Sequence, residues 1–215
     1  MERPIDIRAR ILEEATRLFA SQGFDGTSIQ AIAGAVGIRK PSVLYHFASK
    51  ELLHQAVLDE VLSRWNEVLP DILLVSSEES RFERVMDAVT SFFMEDPDRA
   101  RLLLREILDR PEEMSRRIST FVRPWIDVVA EQLERAKRRS RVRESLDPEA
   151  YAMNVLSMIV SGIAIVESLS VVFRDDPSRK SHDRFVAEMI RVARASLYPH
   201  EVSADLGKHL EPHDG

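Results

Sequence analysis

The 215-residue sequence has no cysteine, which excludes a disulfide scaffold, a thiol nucleophile and any cysteine-ligated zinc or iron–sulfur centre. Glycine is scarce. Of seven glycines, four (Gly23, Gly26, Gly34, Gly37) fall within one short stretch, and none occurs between Gly37 and Gly162. Glycine costs about 1 kcal/mol against alanine in a helix interior, so so long a stretch without it suits helices. No run alternates apolar and polar residues with β-branched enrichment, and strands are not expected. Glycine-rich phosphate loops, G-x-S-x-G and H-E-x-x-H are also missing. The first residues, MERPIDIRAR, lack the apolar core of a secretory signal, and a cytoplasmic protein is expected.

What is present is globular: 44% hydrophobic and 31% charged residues, too apolar for disorder. At roughly 150 residues per domain, the length allows one large domain or two small ones. A net charge of -6 argues at first against a nucleic-acid partner. Its distribution argues otherwise. Residues 1–50 hold seven basic and five acidic side chains, a net of +2, which leaves -8 for the remainder.

Proline placement marks helix starts. Asp96-Pro97, Asp147-Pro148 and Asp176-Pro177 each set a capping carboxylate before a proline that has no N–H to leave unpaired. The pattern predicts helices over about 4–22, 27–34, 38–44, 50 to the mid-70s with a bend at Pro70, 79–95, 97–109, 111–118, 119–140, 148–173 and 177–198. The fold class is all-α: a three-helix head with a helix-turn-helix at 1–50, a larger helical body at 51–199 and a flexible tail at 200–215.

Residues 27–50 read TSIQAIAGAVGIRKPSVLYHFASK. Two short helices meet at Ala35-Val36-Gly37-Ile38, as a helix-turn-helix requires. Ile29, Ile32, Ala33, Val36 and Ile38 are positioned to pack the turn on the first helix. The following helix opens on Arg39, Lys40 and Ser42, polar groups suited to base edges or phosphates in a major groove.

Here a family resemblance becomes specific. Ala15, Leu18, Phe19, Gly23-Phe24, Thr27, Ile32-Ala33, Val36-Gly37-Ile38, Tyr45-His46-Phe47 and Ser49-Lys50-Glu51-Leu52-Leu53 resemble the DNA-binding head of the TetR family of bacterial transcriptional repressors. The resemblance covers residues 8–58. It implies an all-helical body that dimerises and binds an effector, and it implies roles for individual residues. Thr27 faces a phosphate and Gln30 a base edge, although T-x-x-Q also reads as a capping box. Arg39 or Lys40 addresses guanine or holds a phosphate, with Ser42 beside them, and Tyr45, His46 and Lys50 match phosphate-contacting positions. One departure stands out: the family commonly has two aromatics ahead of His-Phe, and this chain has Leu44-Tyr45.

In the body, 153–173 is the most apolar run. It is long enough to span a bilayer, but Asn154, Glu167 and several serines interrupt it, and a buried interface helix is expected instead of a membrane anchor. The resemblance places this helix and the last one in a four-helix homodimer interface, with Asn154, Ser157, Ser161, Gly162, Phe185, Met189 and Ala193 as its residues; the alternative is that both helices are core of one subunit. For the effector, an unknown small apolar molecule, the lining candidates are Phe92, Phe93, Leu103, Phe121, Arg123, Trp125 and Met158. The basic run ERAKRRSRVR at 134–143 is read as a solvated helix C-terminus, with a second DNA contact as the alternative.

The function expected is a ligand-responsive repressor that binds a palindromic double-stranded DNA operator and is released by its effector. The rivals are a helical-bundle enzyme and a dimeric adaptor. Glu51-Leu52-Leu53-His54 is an E-x-x-H, the repeated unit of di-iron bundles, but no second copy exists. Glu51 then reads as a first-turn acid and His54 as a partly exposed helix residue. His209 and His213 share a tail with Pro212 between them. No metal, cofactor or catalytic residue is expected.

Overall fold

In a computed structural model the residues described are 6–64, 78–174 and 180–198. Among them are ten α-helices, one 3-10 turn and no strand. The helices are α1 (Ile7–Gly26), α2 (Ile29–Val36), α3 (Lys40–His46), α4 (Lys50–Ser63), α5 (Glu78–Glu95), α6 (Pro97–Asp109), α7 (Pro111–Phe121), α8 (Arg123–Arg138), α9 (Pro148–Leu169) and α10 (Ser181–Leu197), with the 3-10 turn at Ser170–Val172.

The capping logic holds at two of the three Asp-Pro steps. Asp96 accepts from the Asp98 N–H at 3.1 Å and Asp147 from the Ala150 N–H at 3.0 Å. Asp176-Pro177, Pro70 and the tail from 200 onward lie outside the described residues, and α10 begins at Ser181 rather than 177. The α7–α8 boundary falls at Val122, because Pro124 lacks an N–H and is accommodated in the first turn of a new helix.

Helix α1 runs four residues past its expected end. Gly23 breaks the helical path at φ 73 and the last turn resumes after it. The turn between α2 and α3 is a Schellman motif. Gly37 sits at φ 79, its N–H donates to Gly34 O, and the Ile38 N–H reaches back to Ala33 O at 2.9 Å. A left-handed residue is needed there and glycine adopts it without a Cβ clash.

In the head, α1 packs on both α2 and α4. Ile11, Ala15, Leu18 and Phe19 meet Ile32, Val36, Leu53 and Val57 in a core from which water is excluded. Helix α6 lies under α1 on one side and against α9 on the other. The apolar core is therefore continuous from head to body. That continuity gives a movement in the body a packed route to the head.

Helix α9 is apolar on most of its surface, and Pro148–Val172 is long and apolar enough to cross a membrane. Within the chain it packs on α6, α8 and α10, burying Ile159, Val160, Ile163 and Val166. Packing of that kind accounts for the inner part of its apolar character.

Candidate DNA interface and effector cavity

Helix α3 turns Val43 and the following Phe47 inward. Arg39, Lys40, Ser42, Tyr45 and His46 are all exposed, as is Gln30 on α2. Tyr45 is 87% exposed, and its ring meets that of His46 edge-on at 5.4 Å. A large aromatic held in water on a short helix gains nothing from folding alone. Six of the eight residues expected to contact DNA thus stand on the head's surface. Leu44, at the departing position, is 37% exposed.

The other two take different places. Thr27 does not begin α2; the N-cap is Ser28, whose hydroxyl accepts from the Ala31 N–H at 3.0 Å. That overturns the capping box and leaves Gln30 without a capping role. Thr27 is instead the C-cap of α1, 1% exposed, its hydroxyl donating to Gly23 O at 2.8 Å and shared with Leu18 O at 3.2 Å. Lys50 points inward. Its ammonium donates to Phe24 O at 2.9 Å and Thr27 O at 3.2 Å, above the Phe24 ring at 4.1 Å. Cations at a helix C-terminus satisfy carbonyls that have no intrahelical donor, so Lys50 clamps the end of α1.

Phe24 is also covered by the guanidinium of Arg110, 4.0 Å from its centroid, and met edge-on by His54 at 4.9 Å. His54 is 1% exposed, not the partly exposed residue its sequence position suggested. Its Nε2 lies 2.9 Å from Glu106 Oε1 on α6. Arg105 on the same helix donates to Ala20 O of α1 at 3.2 Å, and Arg117 on α7 pairs with Asp59 on α4. The head is therefore fastened to the body through α4 and α1. Glu51 is the first-turn acid expected: its carboxylate sits below its usual range because the backbone and Ser49 donate to it.

The body holds a cavity of about 280 Å³ between α5, α8 and α9, with Val142, Leu197 and Tyr198 also on its wall. Its walls are mostly apolar: Phe82, Met86, Trp125, Ile126, Leu156 and Ile159 among others. Of the residues expected to line it, only Trp125 does. Phe93 and Leu103 are core, and Phe92 meets Phe93 edge-on while its ring carries the guanidinium of Arg99 at 4.6 Å. Met158 packs against the same core, and Phe121 lines a separate shallow surface hollow with Arg117. Arg123 faces outward and pairs with Asp127 at 2.8 Å and Glu149 at 3.2 Å. The lining residues Arg81, Phe82, Gln132 and Tyr151 escaped sequence reasoning. Their meeting depends on how α5 and α8 face each other, for which one sequence has no local signal.

The expected dimer residues divide. Gly162, Met189 and Ala193 are buried within the chain. A Cβ on Gly162 would lie 2.6 Å from Met189 Sδ and 2.9 Å from Phe185 Cε1, so Gly162 and Phe185 seat α10 on α9 in the same subunit. Asn154 and Ser157 are exposed and Ser161 half-exposed. The surrounding surface carries Met153, Ile165, Val171, Val172 and Val192, all exposed. The basic run ends α8: Arg135 pairs with Glu131, and Lys137 donates to Leu146 O at 2.8 Å. Among the described residues no cluster of metal-ligating side chains occurs.

Comparison with known proteins adds three findings. Residues 11–57 match the family described as bacterial regulatory proteins, tetR family, and residues 79–191 match the tetracyclin repressor-like C-terminal domain. The chain is 28% identical over 160 residues to the HTH-type transcriptional repressor AcnR of Corynebacterium diphtheriae, spanning 73% of this chain and 80% of that one. Among solved structures, the ketosteroid transcriptional regulator KstR2 of Mycobacterium tuberculosis superposes with a TM-score of 0.71 at 16% identity, over 92% of this chain and 97% of that one. AibR, solved with isovaleryl coenzyme A and operator DNA, superposes with a TM-score of 0.68 at 22% identity, over 87% and 97%.

Proposed function

Because the chain belongs to the TetR family of bacterial transcriptional regulators, non-enzymatic DNA-binding proteins, we propose that it is a repressor that binds a palindromic operator as a homodimer and leaves it when a small apolar effector enters the body. The observation that carries this reading is the surface of the head. Gln30, Arg39, Lys40, Ser42, Tyr45 and His46 are exposed around a short helix whose inward residues, Val43 and Phe47, fix its orientation. Of these, Gln30 suits adenine, and Arg39 or Lys40 suits guanine or phosphate. Tyr45 and His46 hold the backbone. Lys50 acts through the fold of the head, by anchoring α1.

The head's small positive charge makes one subunit a weak binder, so two must act together. A second copy would set two recognition helices about 34 Å apart on successive major-groove faces. Support for pairing comes from the exposed α9 stripe, where Asn154 and Ser157 stand between Met153 and Ile165. Apolar groups left in water beside small residues fit a helix–helix contact between copies.

Release follows from the packing path. A ligand against Leu156 and Ile159 pushes on α9, α9 rests on α6, and α6 holds α4 and α1 through Glu106 and Arg105. A ligand that favours one arrangement of these helices shifts the spacing of the heads by its differential affinity. AibR, whose structure contains both a coenzyme A ester and operator DNA, illustrates the combination of sites.

The test is selection of bound duplexes from a random pool, followed by affinity measurement at two salt concentrations. A palindromic motif and a steep salt dependence are expected. A protein that yields no sequence-selective complex is not a repressor of this kind.

A further inference from the structure

We propose that the cavity between α5, α8 and α9 takes a hydroxylated hydrocarbon, an alcohol or phenol of about a dozen non-hydrogen atoms. This rests on the reading of the cavity as an effector site and narrows it to a chemical class.

A dry cavity of about 150 Å³ holds one benzene ring. At about 280 Å³, the cavity here admits roughly twice as many atoms. Phe82, Val85, Met86, Val89, Trp125 and Ile159 make most of its wall hydrocarbon or aromatic, which suits an apolar ligand body.

The polar groups of the wall gather at one end. Helices α8 and α9 pack on each other and are joined by the short segment 139–147, so they run antiparallel. The second half of α8, with Gln132, therefore lies beside the first turn of α9, with Tyr151. Arg81, in the first turn of α5, meets Gln132 there. Val122, Trp125 and Ile126, from the start of α8, line the other end.

Gln132 and Tyr151 offer a ligand complementary contacts. Arg81 Nη1 donates to Gln132 Oε1 at 3.2 Å, which assigns the amide oxygen to Arg81 and the Nε2 side to donation. The Tyr151 hydroxyl donates to Ala193 O at 2.9 Å, and burial lifts its pKa well above the usual phenol range. It keeps that proton, so towards a ligand its oxygen only accepts. One ligand hydroxyl answers both groups: its oxygen accepts from Gln132 and its proton goes to Tyr151. A ketone answers only Gln132, and an ammonium only Tyr151. A carboxylate has no proton for Tyr151. Arg81 and Arg141 both have partners within the protein, so an anion gains a counter-charge there only by displacing one, and it loses its hydration on entry. Among the described residues no Asp or Glu lines the cavity to hold a cation.

The experiment uses the full-length protein and four probes that share a ten-carbon chain: 1-decanol, 2-decanone, decanoate and decylammonium, all below their micelle concentrations. Binding is read by calorimetry, and release by anisotropy of labelled operator. Decanol is expected to bind about fivefold tighter than decanone and about tenfold tighter than either ion. From hexanol to decanol the affinity should rise about fourfold per methylene, and it should stop rising beyond about twelve carbons. Tyr151→Phe should bring decanol down to the affinity of the ketone and leave the ketone unchanged. Ala193 O also accepts from the Ser196 hydroxyl at 2.8 Å, so that variant keeps the carbonyl paired. Gln132→Met should weaken alcohol and ketone alike by about fivefold; if it does not fold, the Tyr151→Phe ratio decides. An ion that binds tightest, no binding of decanol, or a decanol-to-decanone ratio unmoved by Tyr151→Phe overturns the proposal. Failure of the regulator reading is a separate result: the protein binds decanol by calorimetry but forms no selective complex with any DNA.

Discussion

Nε2 of His54 on α4 lies 2.9 Å from Oε1 of Glu106 on α6, and both residues are 1% exposed. The pair joins the helix that follows the DNA-reading segment to the central helix of the body. It is framed by Phe19 and Phe24, whose rings meet the imidazole edge-on at 4.9 Å. In so dry a setting a hydrogen bond is strong, and losing one partner leaves the other desolvated and unpaired.

Removing Glu106 alone should therefore cost more than removing both partners. Glu106→Met and His54→Phe are each expected to lower stability by about 2–3 kcal/mol in urea denaturation. The double variant His54→Phe/Glu106→Met replaces the pair by apolar groups of similar size and should lose less than the sum. Strictly additive losses would show that the two side chains are not coupled.

Gln30 has lost its capping alternative, since Ser28 caps α2. Ser28→Ala should cost about 1 kcal/mol. Gln30→Ala should leave the melting temperature unchanged while relaxing preference at one base pair in each half-site. A lower melting temperature with an intact binding motif would reverse that assignment.

Lys50 and the α3 cations should separate by salt. With its ammonium on Phe24 O and Thr27 O, Lys50→Ala should destabilise the head by about 1–2 kcal/mol and leave the salt slope of DNA binding unchanged. Arg39→Ala or Lys40→Ala should lower that slope by about one, with little change in stability. A slope that falls with Lys50→Ala would mean the ammonium leaves its carbonyls for phosphate.

On α9, neighbouring positions should fail in different ways. Gly162→Leu drives side-chain atoms into Met189 and Phe185 and should cost about 3 kcal/mol of subunit stability. Ser157→Arg, on the exposed stripe, should leave the subunit folded but monomeric by sedimentation, with operator affinity reduced at least a hundredfold. A folded Ser157→Arg dimer would move the interface elsewhere.

The local features were legible because they obey local rules. Asp96-Pro97 and Asp147-Pro148 carry their capping chemistry within four residues, and Gly37 marks the one left-handed turn that a helix-turn-helix needs. Lys50 misled because its carbonyl partners are 26 and 23 residues away in the chain, and Thr27 because a hydroxyl reads the same in sequence whether it meets a phosphate or a carbonyl of the preceding helix.

The sequence by itself determined an all-α chain, the place of the DNA-reading head and the split between its positive charge and the acidic remainder. Periodicity, caps and glycine positions act over a turn or two of helix, so they survive in one dimension. Tertiary structure alone decided that His54 is buried on Glu106, that Gly162 seats α10 rather than a second subunit, and that Arg81 and Trp125 share a cavity while Phe92 and Phe93 do not. Each of these depends on which helix faces which, and that is settled by packing across distant segments, where one side-chain type serves core, interface or cavity equally well.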